Sequence, residues 1–110
     1  MSNIETVRLE KQATIDSEVV RAIVAATPEH WRSATMHVER DEVSGRERMS
    51  IVISSPEGHP EPIRPPDEVF ELLAELSNLF RVHGEVWSSL VYTVALDSNE
   101  QWKYDARFAY

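Results

Sequence analysis

Length, composition and charge exclude several classes of protein before any motif is considered. The chain has 110 residues, the length of one domain, and 42% of them are hydrophobic, which is too many for a disordered tail. It has no cysteine, which excludes disulfides and thiolate metal sites, and its net charge of −8 disfavours binding to nucleic acid or to an anionic membrane.

The first predicted element is an amphipathic helix over residues 16–26. Its apolar side chains recur at helical spacing, and they are Ile15, Val19, Val20, Ala22, Ile23, Val24 and Ala26. Asp16 or the serine after it is the expected N-cap, Glu18 suits the first turn, and Pro28 ends the helix. The preceding residues 1–13 fit either a strand or a lead into this helix.

Two alternating segments then predict a β-hairpin. Residues 33–40 and 48–54 each place apolar side chains at every second position, and the turn-rich residues 41–45 separate them. Trp31 lies just before the first strand. Because an indole buries a large area, we expect Trp31 to fill the space between helix and sheet.

A proline-rich connection leads to the second predicted helix. Residues 55–66 contain five of the six prolines, so we expect an exposed connection with a short extended piece around Ile63. Asp67 is the expected cap of the helix and Gly84 its stop. The helix has one continuous apolar stripe, made of Val69, Leu72, Leu73, Leu76, Leu79 and Phe80.

The last quarter of the chain predicts a second hairpin. Its first strand places Leu90, Tyr92, Val94 and Leu96 on one face, and its second places Trp102, Tyr104, Ala106, Phe108 and Tyr110 on one face. The polar residues 97–100 separate the two strands, and we expect the apolar faces to form the floor of the core. The order of elements therefore predicts an α+β fold: a two-layer domain over residues 1–110 in which a largely antiparallel sheet of two hairpins is covered on one face by two amphipathic helices.

The sequence carries neither a membrane segment nor a secretion signal that we recognise. No apolar run approaches the roughly 20 residues of a membrane helix. The N-terminal residues lack the charged-then-apolar pattern of a signal peptide, and we expect a cytoplasmic protein.

Residue types that usually perform catalysis or bind metals form no recognisable motif. The four histidines, His30, His37, His59 and His83, fall in separate segments without the spacing of a paired metal motif. No serine lies in a G-x-S-x-G elbow, and the scattered glycines form no phosphate-binding loop. His37 and Glu39 share a strand face, but a solvent-facing strand with mixed polar residues explains this placement without a catalytic role. We therefore expect no catalytic residue, no metal and no cofactor.

Acidic side chains are the unusual feature of the chain, and more than half of its net charge arises from Asp67 onward. The second helix carries a ridge of four acids and each hairpin tip carries two. These candidate partner-binding residues are Asp67, Glu68, Glu71 and Glu75 on the helix, Asp97 and Glu100 at one tip, and Asp41 and Glu42 at the other. A solvated helix face with polar turns would explain them. The alternative is a surface that imitates a nucleic-acid backbone for a basic partner.

Three stretches of the sequence carry a family resemblance. The first is the short helix that ends before Pro28-Glu29-His30-Trp31 and leads directly into a strand. The second is the leucine-rich acidic helix from Val69 to Phe80, and the third is WSSLVYTV, a polar turn, and then WKYD with an aromatic end. Together they span residues 16–110, and they resemble the YezG-like immunity family, bacterial antitoxins that protect a cell from toxins of its own or its kin.

The resemblance implies a non-enzymatic immunity protein that binds one cognate toxin, often a nuclease domain. The acidic balance independently favours a basic, nucleic-acid-directed toxin, and we expect the chain itself to bind neither nucleic acid nor membrane. Two other functions stay open. An adaptor or chaperone for a secreted effector would bind its partner without restoring growth, and a small ligand-binding or hydrolase domain would need a concave polar pocket.

Overall fold

The computed structural model describes residues 4–110, with side chains from residue 8 onward. The elements in chain order are α1 (Ile4–Ala26), β1 (Ser33–Val43), β2 (Arg46–Ser54), α2 (Asp67–Val82), β3 (Ser89–Leu96) and β4 (Trp102–Ala109). All neighbouring strands are antiparallel, in the spatial order β2-β1-β3-β4, so the two hairpins join through β1 and β3. The predicted α+β fold with two hairpins and two helices is confirmed.

The core lies between the helix pair and the inner face of the sheet, where alternate strand residues meet the apolar stripes of the helices. Its largest fully buried side chains are Trp31, Trp87, Tyr92, Phe80, Ile23, Met36, Leu73, Leu76, Leu90, Val19, Val38 and Val69. Trp31 is only 1% exposed, which confirms its predicted place in the core. The other face of the sheet is open to solvent, and His37 and Glu39 lie on it.

Helix α1 is longer than the sequence pattern predicted. It begins at Ile4, so the segment left open between strand and helix is helical from there on, while residues 1–3 lie outside the described part. Asp16 lies in the middle of the helix, so its expected role as N-cap is wrong. Arg8 fastens these extra turns to α2. Its guanidinium pairs with Glu85, just beyond the end of α2, and lies over the ring of Phe80 on α2.

The first hairpin has a tighter turn than predicted. Only Ser44 and Gly45 form the loop, and both have positive φ, at 54° and 77°. A two-residue loop with this geometry matches the twist of the flanking strands, so pairing continues to Val43 opposite Arg46. The strands therefore extend beyond the predicted ends at residues 40 and 48.

The proline-rich connection is held against the sheet and the preceding link. Ile63 forms an isolated bridge with Ile53 at the free edge of β2, which confirms the predicted extended piece. Glu57 accepts hydrogen bonds from the Arg32 backbone N–H at 2.8 Å and from the Ser33 hydroxyl at 3.3 Å. The connection therefore has a fixed course across residues 27–33.

Helix α2 matches its predicted bounds, with one difference at the start. Pro66, in extended backbone, is the N-cap, and Asp67 is the first helical residue without a side-chain capping bond. The helix stops at Gly84 as predicted: its φ is +79°, and Glu85 N–H reaches back to the Phe80 carbonyl at 2.9 Å. The buried face of α2 follows the predicted stripe.

The C-terminal hairpin supplies less of the core than its aromatic pattern predicted. On β3, Leu90, Tyr92 and Val94 are fully buried. On β4, Trp102 and Phe108 are only half-buried and Tyr104 is 42% exposed. The reason is position, because β4 is an edge strand that the helices cover incompletely.

Candidate functional site: an acidic groove between the helices

The acidic ridge of α2 borders a groove between the two helices. The groove has a volume of about 490 Å³, and it is lined by Glu18, Arg21, Ala22, Ala25, Glu68, Glu71, Leu72 and Glu75. On the α2 side, Glu68, Glu71 and Glu75 follow helical spacing beside the buried stripe, so they line up along one wall. Asp67, the fourth predicted member, is exposed in the first turn but does not line the groove.

Helix α1 supplies the other wall. Ala22 and Ala25 have small side chains, which leave space between the two helices. Glu18 adds a fourth carboxylate to the groove, and Arg21 is the one basic residue among the described residues that line it. The sequence pattern places Glu18 in a first helical turn and does not group it with α2, because the spacing within one helix does not indicate which face of another helix lies opposite.

The groove carboxylates form no ion pair with any side chain that the structure describes. In the described part of the chain, Glu18, Glu68, Glu71 and Glu75 are in no ion pair or side-chain hydrogen bond, and all four are exposed. Like charges at neighbouring helical positions repel by a few tenths of a kcal/mol per pair. The groove therefore presents a concentrated negative charge to solvent.

The acids at the first hairpin are placed differently. Asp41 and Glu42 lie within β1 rather than in the turn, because the loop has only two residues. Asp41 accepts two hydrogen bonds from Arg48 on the facing strand, at 2.9 and 3.0 Å, and these hold the pKa of its carboxyl below the usual range. Glu42 accepts from Arg40 at 2.6 Å and from Arg81 at 2.9 Å.

Arg40 is the reason that Glu42 is held so firmly. Its side chain is 3% exposed and also donates to Glu47 at 2.6 Å and to the hydroxyl of Ser77 on α2 at 3.1 Å. This buried cation ties α2 to the first hairpin. We interpret the pair of acids at this tip as structural.

The acids at the second hairpin tip are also engaged. Asp97 accepts the backbone N–H groups of Gln101 and Asn99 at 3.0 and 2.8 Å, which lower the pKa of its carboxyl and shape the turn. Glu100 pairs with Arg32 at 3.0 Å. Since β1 and β3 are antiparallel, this tip lies at the opposite end of the sheet from Asp41. The eight predicted acids thus form no single surface, and the groove is where unpaired ones gather.

The structure also brings together residues that the sequence analysis kept apart. One ligand atom from each of His30, His59 and Glu61 lies within 4.8 Å of the others. His30 comes from the link between α1 and β1, and the other two come from the proline-rich connection. The only local signal was the close spacing of His59 and Glu61, because contact with His30 depends on how the connection folds back.

No protein-family model matches this chain, and no curated protein is similar to it at a significant level. The YezG-like resemblance thus stays a prediction from the motifs. No helix in residues 4–110 has both the length and the apolar character that crossing a membrane requires.

Proposed function

We propose that this chain is a cytoplasmic immunity protein that neutralises a cognate toxin by direct binding, without catalysis. The groove between α1 and α2 is the proposed partner surface, and the partner is a basic, nucleic-acid-directed toxin domain. The observation that carries the proposal is the set of four unpaired, exposed carboxylates in the groove. The net charge of −8 and the YezG-like motifs support the same function.

The contrast with the other acids gives this proposal its location. Arginines already engage Asp41, Glu42 and Glu100, so a basic partner would have to displace them. Among the side chains of residues 8–110, no arginine, lysine or histidine forms an ion pair with Glu68, Glu71 or Glu75. Negative charge in a groove attracts a positively charged protein and accelerates its association, which gives the proposal a kinetic signature.

The test neutralises the groove without altering its shape. Glu68→Gln, Glu71→Gln and Glu75→Gln are combined, and we expect the melting temperature to change by only a few degrees, because like-charge repulsion is removed. A candidate toxin domain, sought in the reading frames that neighbour the gene of this chain, is immobilised, and association is measured at low and high salt. We expect slower association for the variant at low salt and a smaller difference at high salt, because exposed charges are screened beyond about 8–10 Å.

A matched control removes the same charge from the other side of the molecule. Glu39→Gln, Asp41→Asn and Asp105→Asn lie on the open face of the sheet, as their strand register shows. This control should associate almost like the wild type. Equal association of the wild type and the groove variant at low salt, or equal slowing by both variants, would refute the assignment of the groove.

Growth distinguishes an immunity protein from a chaperone. Cells that express the toxin should grow when the wild-type chain is co-expressed and should grow less well with the groove variant. A chain that binds the toxin tightly but does not restore growth would be an adaptor or chaperone instead.

A further inference from the structure

The side chains of His30, His59 and Glu61 lie close together on a surface that the proposed partner groove does not include. We propose that these three residues bind one Zn²⁺ ion, which fastens the proline-rich connection to the link between α1 and β1. The proposal is independent of toxin binding. It rests on the donor set, its geometry and the neighbouring side chains that orient it.

The donor set has the composition of a zinc site. Zinc often binds three protein ligands and holds a water molecule in its fourth position. Two imidazole nitrogens and one carboxylate oxygen are a set of three ligands of this kind. Imidazole is a poor ligand for Mg²⁺ and Ca²⁺, which prefer oxygen donors. The pair of histidines therefore selects a transition metal, and zinc suits such a set without requiring redox chemistry.

The geometry needs only small side-chain movements to bind the ion. The three ligand atoms lie within 4.8 Å of one another, and Nε2 of His30 is 2.5 Å from Oε2 of Glu61. Ligand atoms around tetrahedral zinc stand about 3.3 Å apart when each bond is about 2.0–2.1 Å. The histidine–glutamate pair must open slightly and the second histidine must approach. All three side chains are partly exposed, so these adjustments meet little resistance.

Neighbouring groups already orient the ligands. Trp31 donates its indole N–H to Oε2 of Glu61 at 3.2 Å, and its ring stacks on His59 with centroids 5.8 Å apart. His30 meets His59 edge to face at 4.8 Å. Hydrogen bonds to a metal ligand, such as the one from Trp31 to Glu61, fix the orientation of that ligand and strengthen metal binding. Because Trp31 is fully buried in the core, the site has a rigid base.

One ring nitrogen of the cluster has no hydrogen-bond partner among the described residues. Nε2 of His59 is shielded from solvent and makes no hydrogen bond within the described residues, and the nearest Glu57 oxygen is 3.8 Å away. Buried polar atoms in native proteins usually have a partner. A bound zinc ion, or the water molecule on that ion, would supply a partner for this nitrogen.

Zinc binding at this position would act on the fold. Its ligands lie about 30 residues apart in the sequence, so the ion would close a loop that contains the whole first hairpin. A ligand that binds only the folded state multiplies the folding constant by one plus the ratio of free ligand to Kd. At a free zinc concentration 100 times Kd, the folding constant should rise by about 100-fold.

The experiment titrates the whole chain with zinc after treatment with a chelator. Calorimetry should give one ion per chain, and the midpoint of thermal unfolding should rise with zinc concentration. Glu61→Gln keeps a hydrogen-bond acceptor for Trp31 but is a poor metal ligand. It should therefore fold like the wild type without zinc, as circular dichroism would show, yet bind zinc at least 10-fold more weakly. His30→Ala and His59→Ala should also lose the zinc-dependent shift.

His37→Ala is the matched control, because His37 faces Glu39 at 3.9 Å on the open sheet and forms a similar histidine–glutamate pair elsewhere. It should bind zinc as the wild type does. Absence of one-to-one binding by the wild type would overturn the proposal. So would undiminished affinity in Glu61→Gln and His59→Ala, or an equal loss in His37→Ala.

Discussion

The buried pair of Asp16 and Tyr92 gives the sharpest test of how α1 is held on the sheet. Asp16 is 5% exposed in the middle of the helix, and Tyr92 on β3 is fully buried. The Tyr92 hydroxyl donates to Oδ1 of Asp16. Burial raises the pKa of the Asp16 carboxyl, and the hydrogen bond from Tyr92 opposes that rise only in part. The hydroxyl therefore supports a carboxylate that is costly to bury.

Replacing Tyr92 with Phe removes the donor and leaves the rest of the ring in place. A hydrogen bond to a charged group contributes about 1.5–3 kcal/mol, and its loss here also leaves the buried carboxylate without a partner. We expect the free energy of unfolding to fall by about 1.5–3 kcal/mol at neutral pH. For a domain of this size that lowers the melting temperature by roughly 6–12 °C.

Lowering the pH should reduce the loss of stability in Tyr92→Phe, because the pKa of Asp16 is raised in the folded protein. The folded-state pKa of Asp16 is raised above its unfolded value, so protonation of this residue favours folding. That contribution is present below the unfolded value and is lost as the pH rises through the folded-state pKa. In Tyr92→Phe the raised pKa rises further, because a bond to the ionised form is gone. The difference between variant and wild type should therefore shrink as the pH falls from 7 towards 4.

Two further variants separate the charge from the hydrogen bond. Asp16→Asn keeps an acceptor for Tyr92 and removes the charge, so it should be as stable as the wild type or more stable at neutral pH. Tyr104→Phe is the control, because Tyr104 lies near Tyr92, with ring centroids 6.5 Å apart, and its hydroxyl makes no hydrogen bond within the described residues. Urea unfolding followed by circular dichroism measures all four proteins. A Tyr92→Phe penalty under about 0.5 kcal/mol, or one that is equal at pH 7 and pH 4, would refute the reasoning.

Two more predictions concern stability. Arg40→Ala should lower the free energy of unfolding by about 3 kcal/mol, the low end for breaking a buried ion pair, because Glu42 and Glu47 stay partly exposed. Arg48→Ala breaks an exposed ion pair with Asp41 and should destabilise the protein much less. Trp87→Ala should cost about 3–5 kcal/mol and the half-buried Trp102→Ala roughly half as much. Urea unfolding ranks both pairs, and a larger loss for Arg48 or Trp102 would contradict the assigned burial.

The sequence predicted those parts of the fold in which hydrophobic periodicity is strong. The stripe from Val69 to Phe80 and the alternation from Leu90 to Leu96 each repeat over several turns or pleats, and both elements lie where expected. The first half of α1 has no such stripe, since apolar residues are sparse before Ile15. Contact with the far end of α2 through Arg8 holds it, and a contact between distant segments leaves no local pattern.

The same limit applies to burial and to the candidate sites. Periodicity placed Trp102 and Tyr92 on the same side of the sheet, but it could not show that β4 is an edge strand and β3 a central one. It identified the ridge on α2 without its counterpart Glu18 on α1. His30 and His59 meet only because the proline-rich connection folds back over the link, which depends on Glu57 and Ile63.

The positions of the basic residues determine which acidic side chains stay exposed without an ion pair. Antiparallel register sets Arg48 opposite Asp41, and the ends of the sheet bring Arg32 to Glu100 and Arg81 to Glu42. Arg48, Arg32 and Arg81 thus pair with nearby acids and offset part of the negative charge around them. Between the helices, the described residues that line the groove include four carboxylates and a single basic side chain, Arg21. The charge of −8 is therefore unevenly distributed, and the groove is a surface on which a basic partner meets little competition.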